Sequence, residues 1–466
     1  MGYTRKKSTS NLLLSQLLTV LIVLNTSFPM VTGADSEPQR ELVTPKQSLQ
    51  QVIDDAQPNS TLILSAGNYQ GPIQINKPIH LKGNGAVITG MGTGHVIQIE
   101  ADFVTLEGLF IQESGLGSRD AGIYAEGSHF IFADLTINQV KHGVYLNQAK
   151  DVVIKTSTIS SYPDHFSKRG NGIHVAGTEQ VNILQNKITG VQDGIYLEYA
   201  KKVGITGNEI SNSRYGTHFM FSENTQAIEN YFHHNITGFM VMYSNHLELN
   251  QNLISHHLHY RGYGTMIYEA DQIQFMSNQL VQNSNALALE NAQELTIAEN
   301  QITGNHTGLL LLQVNNELQI KRNQWIGNMI QIRLGSADAS PVPDGSLQDN
   351  YWDGYQGRDL DHNGFGDSPY FAYSSTGDFI MEIPAFQLFF QSPAMQFWSA
   401  INEQMLNPTM IKGMDPSPQM APFLHWGQNQ SIGKSAHFPI TLLLFSGLLL
   451  MIVLALLNWA RVEKLS

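Results

Sequence analysis

Asparagine returns along the middle of this 466-residue chain with a nearly fixed step. The series is Asn186, Asn208, Asn230, Asn252, Asn278, Asn300 and Asn323, at intervals of 22, 22, 22, 26, 22 and 23 residues. Glycine keeps phase with it at Gly172, Gly194, Gly216, Gly238, Gly264 and Gly308, with Ala286 filling one place. A repeat of this length is one supersecondary unit that cannot bury its apolar face alone, so neighbours must stack into a solenoid. Groups that cooperate in such a fold lie in ladders across coils, not in one local motif.

Within each coil, positions +1 and +3 after the glycine are apolar: Ile195 and Leu197, Phe239 and Val241, Leu287 and Leu289, Leu309 and Leu311. A second pair precedes the asparagine (Val203 and Ile205, Leu247 and Leu249, Leu295 and Ile297, Leu318 and Ile320). A third apolar residue follows it by two: Ile188, Ile210, Phe232, Ile254, Leu280, Ile302 and Trp325. Alternation over such short segments predicts strands and excludes a helical solenoid. The expected fold is all-β, a right-handed parallel β-helix of three sheets over residues 62–334, with glycine and asparagine supplying the turn conformations. Leu49, Val52, Ile53 and Ala56 fall at helical spacing and predict a short cap within residues 35–61, covering the solenoid's first coil. Two insertions before the glycine strand, Ser161–Arg169 and His256–Tyr263, predict a binding rim on one edge.

The ends have a different character. Arg5, Lys6 and Lys7, the leucine-rich stretch to Leu24 and the small residues Thr32-Gly33-Ala34 have the order of a cleaved secretory signal over residues 1–34. Residues 440–460 form an uncharged run of 21 ending near Trp459, long enough to span a bilayer as a helix. Arg461 and Lys464 in the tail, residues 461–466, favour a cytoplasmic C-terminus and a solenoid on the outer side, periplasmic and anchored to the inner membrane. Between solenoid and span, residues 371–439 mix Phe386, Phe389, Phe390, Phe397 and Trp398 with Met395, Met405, Met410, Met414 and Met420. Pro408, Pro416, Pro418 and Pro422 there argue for an extended strap, either docking a membrane partner or serving as a spacer. Loss of the signal takes the formal charge from −13 to −16, which excludes nucleic acid as a partner. With no cysteine, disulfides, thiolate nucleophiles and thiolate metal sites are excluded too, so soft-metal chemistry must use methionine and histidine.

If +1 and +3 point inward, +2 and +4 point to solvent. The +2 column reads Tyr124, Tyr145, His174, Tyr196, His218, Met240, Met266, Ala288 and Leu310, and the +4 column contains Glu198, Met220, Met242, Tyr268 and Glu290. Coils lie about 4.8 Å apart and +2 and +4 about 6.6 Å apart, so His218, Met220, Met240, Met242 and Met266 would form one patch. Thioethers with an imidazole, without thiolate or carboxylate, suit Cu(I). The alternative is an adaptable apolar docking surface without metal. His233, His234, His246, His256, His257 and His259 crowd the same coils and are expected to be mostly exposed loop histidines.

The stretch Gly216-Thr-His-Phe-Met-Phe-Ser-Glu-Asn, followed one coil later by Gly238-Phe-Met-Val-Met-Tyr-Ser, resembles the NosD family, exported β-helix accessory proteins of nitrous oxide reductase maturation. Arg169-Gly-Asn-Gly-Ile-His174 and the segment from Asn350-Tyr-Trp-Asp-Gly-Tyr to Ser368-Pro-Tyr370 look like the same family. The resemblance covers about residues 45–370 and implies a non-catalytic role in assembling a copper–sulfur centre. Its implied partners are the membrane and ATPase subunits of an ABC transporter, a copper chaperone and apo nitrous oxide reductase, with Cu(I) as a transient cargo. No nucleotide-binding lysine loop is present, so an ATPase would be a separate subunit. Within the closing segment, residues 335–370, Asp359, Asp361, Asn363, the Phe365 carbonyl and Asp367 alternate as the ligands of a calcium loop do, with Gly364 at the sharp turn. Tyr370 stands where a bidentate glutamate would, so a metal-free glycine–aspartate turn competes with a structural calcium site.

The rival function is binding or modification of a polysaccharide by a lyase, hydrolase or epimerase. Hydrolysis needs carboxylates about 5 to 9.5 Å apart, whereas Glu126, Glu198 and Glu290 are separated by several coils. Pro163-Asp164-His165 loosely resembles an alginate-epimerase motif, but Tyr162 replaces its leading aspartate. No catalytic residue is assigned.

Overall fold

Strands of three to six residues can satisfy their backbones only by pairing with the coils before and after them. The computed structural model describes residues 40–162, 168–373 and 411–423, and its strands stack in parallel into sheets of 14, 12 and 13 strands. The 12-stranded sheet holds the glycine strands, among them Asp193–Glu198, Tyr215–Met220, Thr237–Met242 and Tyr263–Tyr268. The 14-stranded sheet follows in each coil (Lys201–Thr206, Glu223–Ile228), and the 13-stranded sheet closes it (Glu209–Ser211, Tyr231–His233). Leu197, Phe219, Val241 and Ile267 lie side by side in register and wholly buried, as do Ile188, Ile210, Phe232 and Ile254. Each such side chain stabilises the stack by roughly 1.5–3 kcal/mol. The parallel β-helix is therefore the fold the apolar alternation requires.

The asparagines do not make turns. Asn186, Asn208, Asn230, Asn252, Asn278, Asn300 and Asn323 are buried, and the left-handed backbone falls on the residue before each: Gln185, Gly207, Glu229, Gln251, Ser277, Glu299 and Arg322. That bend turns the asparagine inward. Its Nδ2 then donates to the Oδ1 of the next asparagine at 2.9–3.1 Å, and its backbone N–H donates to the same oxygen at 2.8–3.0 Å. The row continues from Asn323 to Asn350 and ends on the wholly buried Asp415, whose Oδ2 accepts from Asn350 N, Asn350 Nδ2 and Trp352 Nε1. The glycines are not turn residues either. A Cβ on Gly194 would lie 2.5 Å from the Gly216 carbonyl oxygen and 2.4 Å from Ile210 Cγ2, so only hydrogen fits between coils there.

A second buried row runs beside the first, and in it His257 occupies a position that Asn235 and Asn283 hold in the adjacent coils. Its Nδ1 accepts from Asn235 N–H, and its own N–H donates to Asn283 Oδ1. Far from being an exposed loop residue, His257 is wholly buried, and burial pushes its pKa down to about 3.

The helix Leu49–Asp55 starts at Ser48, which accepts from Gln51 N, and it buries Leu49 and Ile53 while Val52 and Ala56 pack on the core. The sheets run further than residues 62–334 in both directions. Arg40–Val43 pairs with Ser60–Leu64 at one end, and Leu347–Gln348 and Tyr351–Trp352 add strands at the other. There Trp325, Trp352 and Tyr370 stack at 5.0 and 4.5 Å, and Tyr370–Tyr373 pairs antiparallel with Ile411–Asp415. That part of the strap sequence is thus built into the solenoid's end. The signal sequence, Pro163-Asp164-His165, the rest of the strap, the 440–460 span and the tail lie outside the described residues. Among the described residues no helix is long and apolar enough to cross a membrane.

Candidate functional site

The glycine-strand sheet carries the two columns expected on its outer face. Register sets Tyr145, His174, Tyr196, His218, Met240, Met266, Ala288 and Leu310 side by side, and next to them Asn147, Ala176, Glu198, Met220, Met242, Tyr268 and Glu290. All five proposed copper residues therefore meet on three adjacent coils. They do not stand open to solvent. His218 is only 8% and Met266 6% exposed, while Met220, Met240 and Met242 are half-buried. The cause is lateral packing that strand alternation does not reveal. Tyr215 sets its ring edge-on to His218 at 5.1 Å, and Tyr263 and Tyr268 pack against Met266, Ala288 and Leu310.

The column itself is a stack of rings. His95, Tyr124, Tyr145, His174, Tyr196 and His218 follow one another at centroid distances of 4.4, 5.5, 4.2, 4.8 and 4.8 Å. Burial raises the Tyr124 and Tyr196 hydroxyls to about 12. The rings end where the thioethers begin, at the step from His218 to Met240.

Hydrogen bonding gives the three buried imidazoles different faces. His142 is satisfied on both sides, Nδ1 accepting from Asn171 N and Nε2 donating to the Ser118 carbonyl. His174 Nδ1 faces Asn171 Nδ2 at 3.2 Å, and Asn171 Oδ1 accepts from Asp193 N, which fixes the amide as the donor. The proton of His174 therefore sits on Nε2, 3.6 Å from the Glu198 carboxylate. His218 is the reverse. Its Nδ1 lies 3.1 Å from Asp193 Oδ2, so the carboxylate holds the proton there and leaves the lone pair on Nε2, which is buried without a partner. Nε2 of His174 is likewise buried without a hydrogen-bond partner, but it carries the proton, so of these three rings His218 is the one that presents an unprotonated nitrogen.

Asp193 is almost wholly buried and is held by Arg214, Nε to Oδ1 at 2.8 Å and Nη2 to Oδ2 at 2.7 Å. Burial alone would raise its carboxyl, but the Arg214 and His218 hydrogen bonds hold it below the usual carboxylate range. Arg214 in turn lies over the Tyr215 ring, 4.4 Å from its centroid. Sequence reasoning missed both residues. The available signal was positional: the residue before each strand glycine is Ala121, His142, Asn171, Asp193, Tyr215, Thr237 and Tyr263, a column with one carboxylate.

The chemistry of this donor set is that of a carboxylate–histidine pair presenting Nε2 beside thioethers. Residues 155–357, which contain all of it, match the family model described as "Periplasmic copper-binding protein (NosD)".

Over these residues, less than half of the chain, the match is to the NosD family.

The chain is 30% identical over 141 residues to the "Probable ABC transporter binding protein NosD" of Stutzerimonas stutzeri, covering 28% of this chain and 31% of that relative. The protein of the same name from Pseudomonas aeruginosa is 26% identical over 136 residues, covering 28% and 32%. The match thus spans about a third of the length of these curated relatives. Among solved structures, the A-module of the mannuronan C-5 epimerase AlgE6 of Azotobacter vinelandii superposes with a TM-score of 0.51 at 14% identity, over 61% of this chain and 90% of that one. A DFA-IIIase from Arthrobacter chlorophenolicus A6 gives 0.50 at 12%, over 64% and 99%. These two share the β-helix fold alone.

The remaining predicted residues sit elsewhere. Asp359, Asp361, Asn363 and Asp367 lie in the closing loop, where Asp359 accepts from Asn363 N and Gly364 N, Asp361 from Asn363 Nδ2, Asn363 from Phe365 N and Asp367 from Leu360 N. Gly364 has the positive φ the turn demands. Among the described residues no three His, Asp or Glu side chains are already gathered to hold an ion. Glu126, one of the acids weighed for sugar chemistry, accepts from Tyr124 and Asn147, and those two bonds hold it below the usual carboxylate range.

Proposed function

We propose that this protein is a non-catalytic periplasmic accessory factor for nitrous oxide reductase maturation. In this proposal it takes Cu(I) as cargo on His218, Met220, Met240, Met242 and Met266 and passes it on. The observation that carries the proposal is the buried, unpartnered Nε2 of His218, aimed by Asp193 and flanked in register by methionine on the next coil. A buried polar atom without a partner costs about 1–3 kcal/mol, and a soft cation would satisfy it. Cu(I) fits thioether and imidazole donors better than calcium, magnesium or zinc. The family description as copper-binding and periplasmic supports the cargo and the compartment.

Partners belong to the same proposal: an ABC transporter, suggested by the names of the two relatives, together with a copper chaperone and apo nitrous oxide reductase. So does a membrane anchor at residues 440–460, which protease digestion of the solenoid from outside intact cytoplasmic membranes would test. A linker replacement probing partner docking by the strap must spare Ile411–Gln419, because Asp415 belongs to the solenoid's end. Calcium at the 359–367 loop is a separate proposal. Its oxygens, now accepting backbone N–H groups, would turn about an ion, so calcium should raise the melting temperature and EDTA reverse it. Identical melts remove calcium.

The decisive experiment is equilibration of the anaerobic protein with Cu(I) against a competing chelator. His218→Gln should weaken binding at least tenfold. Equal affinity in the variant and the parent would leave the methionines as a docking surface only.

A further inference from the structure

At the corner that follows the strand of the 13-stranded sheet, consecutive coils in the middle of the solenoid place one residue in the left-handed region. Along seven coils these are Gly190, Asn212, His234, His256, Gln282, Gly304 and Gly327, with φ between 54 and 66°. Glycine occupies three of the seven, as the conformation favours, and a non-glycine residue there costs of order 1–3 kcal/mol. Two adjacent coils nevertheless carry histidine.

The two imidazoles are parallel, with centroids 5.2 Å apart and planes 8° from each other. A third joins them: His233 Nδ1 lies 2.9 Å from His234 Nδ1, with the ring planes at 87°. His233 Nε2 is 3.4 Å from Glu209 Oε1, and Tyr231 stacks on the same ring at 4.4 Å. The carboxylate favours the proton on His233 Nε2, which leaves its Nδ1 as a bare lone pair now accepting from His234. On the next coil His256 Nδ1 is buried without a hydrogen-bond partner.

We propose that His233, His234 and His256 form a binding site for a divalent, imidazole-seeking cation, for which Cu(II) is the tightest-binding of the first-row series. The present 2.9 Å between His233 Nδ1 and His234 Nδ1 is a hydrogen-bond distance, and both rings turn for their lone pairs to meet on one ion. Binding needs no net proton release. The His234 proton moves from Nδ1 to its exposed Nε2, the two Nδ1 lone pairs face the ion, and His256 swings in as the third nitrogen. Glu209 stays behind His233 as the carboxylate that orients it. This site uses none of the methionines, and its oxidation-state preference is opposite to theirs.

The test titrates the untagged full-length protein with Cu(II) and reads equatorial nitrogen coordination by electron paramagnetic resonance. The expected result is one Cu(II) with three imidazole nitrogens. His233→Gln/His234→Gln should lower the affinity at least 30-fold, and His256→Gln should remove one nitrogen from the signal. Met240→Leu/Met242→Leu should leave the Cu(II) spectrum unchanged, which separates this site from the Cu(I) patch. Thermal melts within a few degrees of the parent confirm that each variant is folded. A parent protein without a multi-imidazole signal, or a double variant that binds as the parent does, overturns the proposal.

Discussion

Asp193→Asn tests the carboxylate–histidine arrangement with the smallest change of shape. Both oxygens of Asp193 are committed, Oδ1 to Arg214 Nε and Oδ2 to Arg214 Nη2 and His218 Nδ1. An amide offers one oxygen. If that oxygen takes the Oδ2 place, its NH2 confronts Arg214 Nε donor to donor. If it takes the Oδ1 place, the NH2 faces His218, forces the proton to Nε2 and removes the free lone pair. Arg214 is about a third exposed, so water relieves part of the mismatch, and the loss of stability should be about 2 kcal/mol. Replacing a group that orients a metal-binding histidine typically costs 10–100-fold in affinity, about 1.4–2.8 kcal/mol. The assay is Cu(I) competition with a chelator at neutral pH, with a denaturant melt of the same sample to separate folding from binding. His218→Gln sets the size of the full effect. If Asp193→Asn binds Cu(I) within twofold of the parent while His218→Gln loses it, Asp193 does not position the ligand.

Three other outcomes are expected. Met240→Leu/Met242→Leu conserves volume and should change stability by less than about 1.5 kcal/mol while weakening Cu(I) binding, and an unchanged chelator titration would remove the thioethers as ligands. Asp415→Ala removes the acceptor of four donors, on Asn350, Trp352 and Ser417, and should cost about 3 kcal/mol or more at the C-terminal end. Unaltered hydrogen-exchange protection of residues 347–352 would contradict it. Burial pushes His142 down to about 4, and His174 and His257 to about 3. Their folded values lie below the unfolded value of about 6.5, so stability is complete above that pH and falls as pH drops towards 3–4, by up to about 1.4 kcal/mol per unit per group. His257→Asn, which restores the residue of the neighbouring coils, should flatten the slope by one such contribution, and an identical slope would refute this assignment.

Much of this was legible because period and alternation are properties of the sequence itself. The repeat fixed which residues are stacked and which face inward, and through register it placed the histidine and methionines of the patch on adjacent coils. What it could not show is lateral. His218 touches Tyr215 and Asp193, and neither contact follows from the period of 22. Asparagine composition suggests turns, yet the bend falls one residue earlier, because the buried amide gains more by bonding along the stack than by capping a turn. Asp415 was beyond inference because 65 residues separate it from its partner Asn350.

Each side-chain amide from Asn186 to Asn350 turns its oxygen towards the N-terminal coil and one N–H towards the C-terminal side, while its other N–H donates to a main-chain carbonyl of the coil before. Their dipoles therefore add along the solenoid axis, as peptide dipoles add along a helix. Each bond in such a chain polarises the next. The positive end of this side-chain dipole emerges at Asn350, and there the protein places the negative charge of Asp415. The row thus has a polarity and a terminus. A further coil ending in a neutral acceptor would leave the accumulated field unanswered, whereas a carboxylate stops it, and in doing so it electrostatically moors the chain that continues from Asp415 to the end of the β-helix.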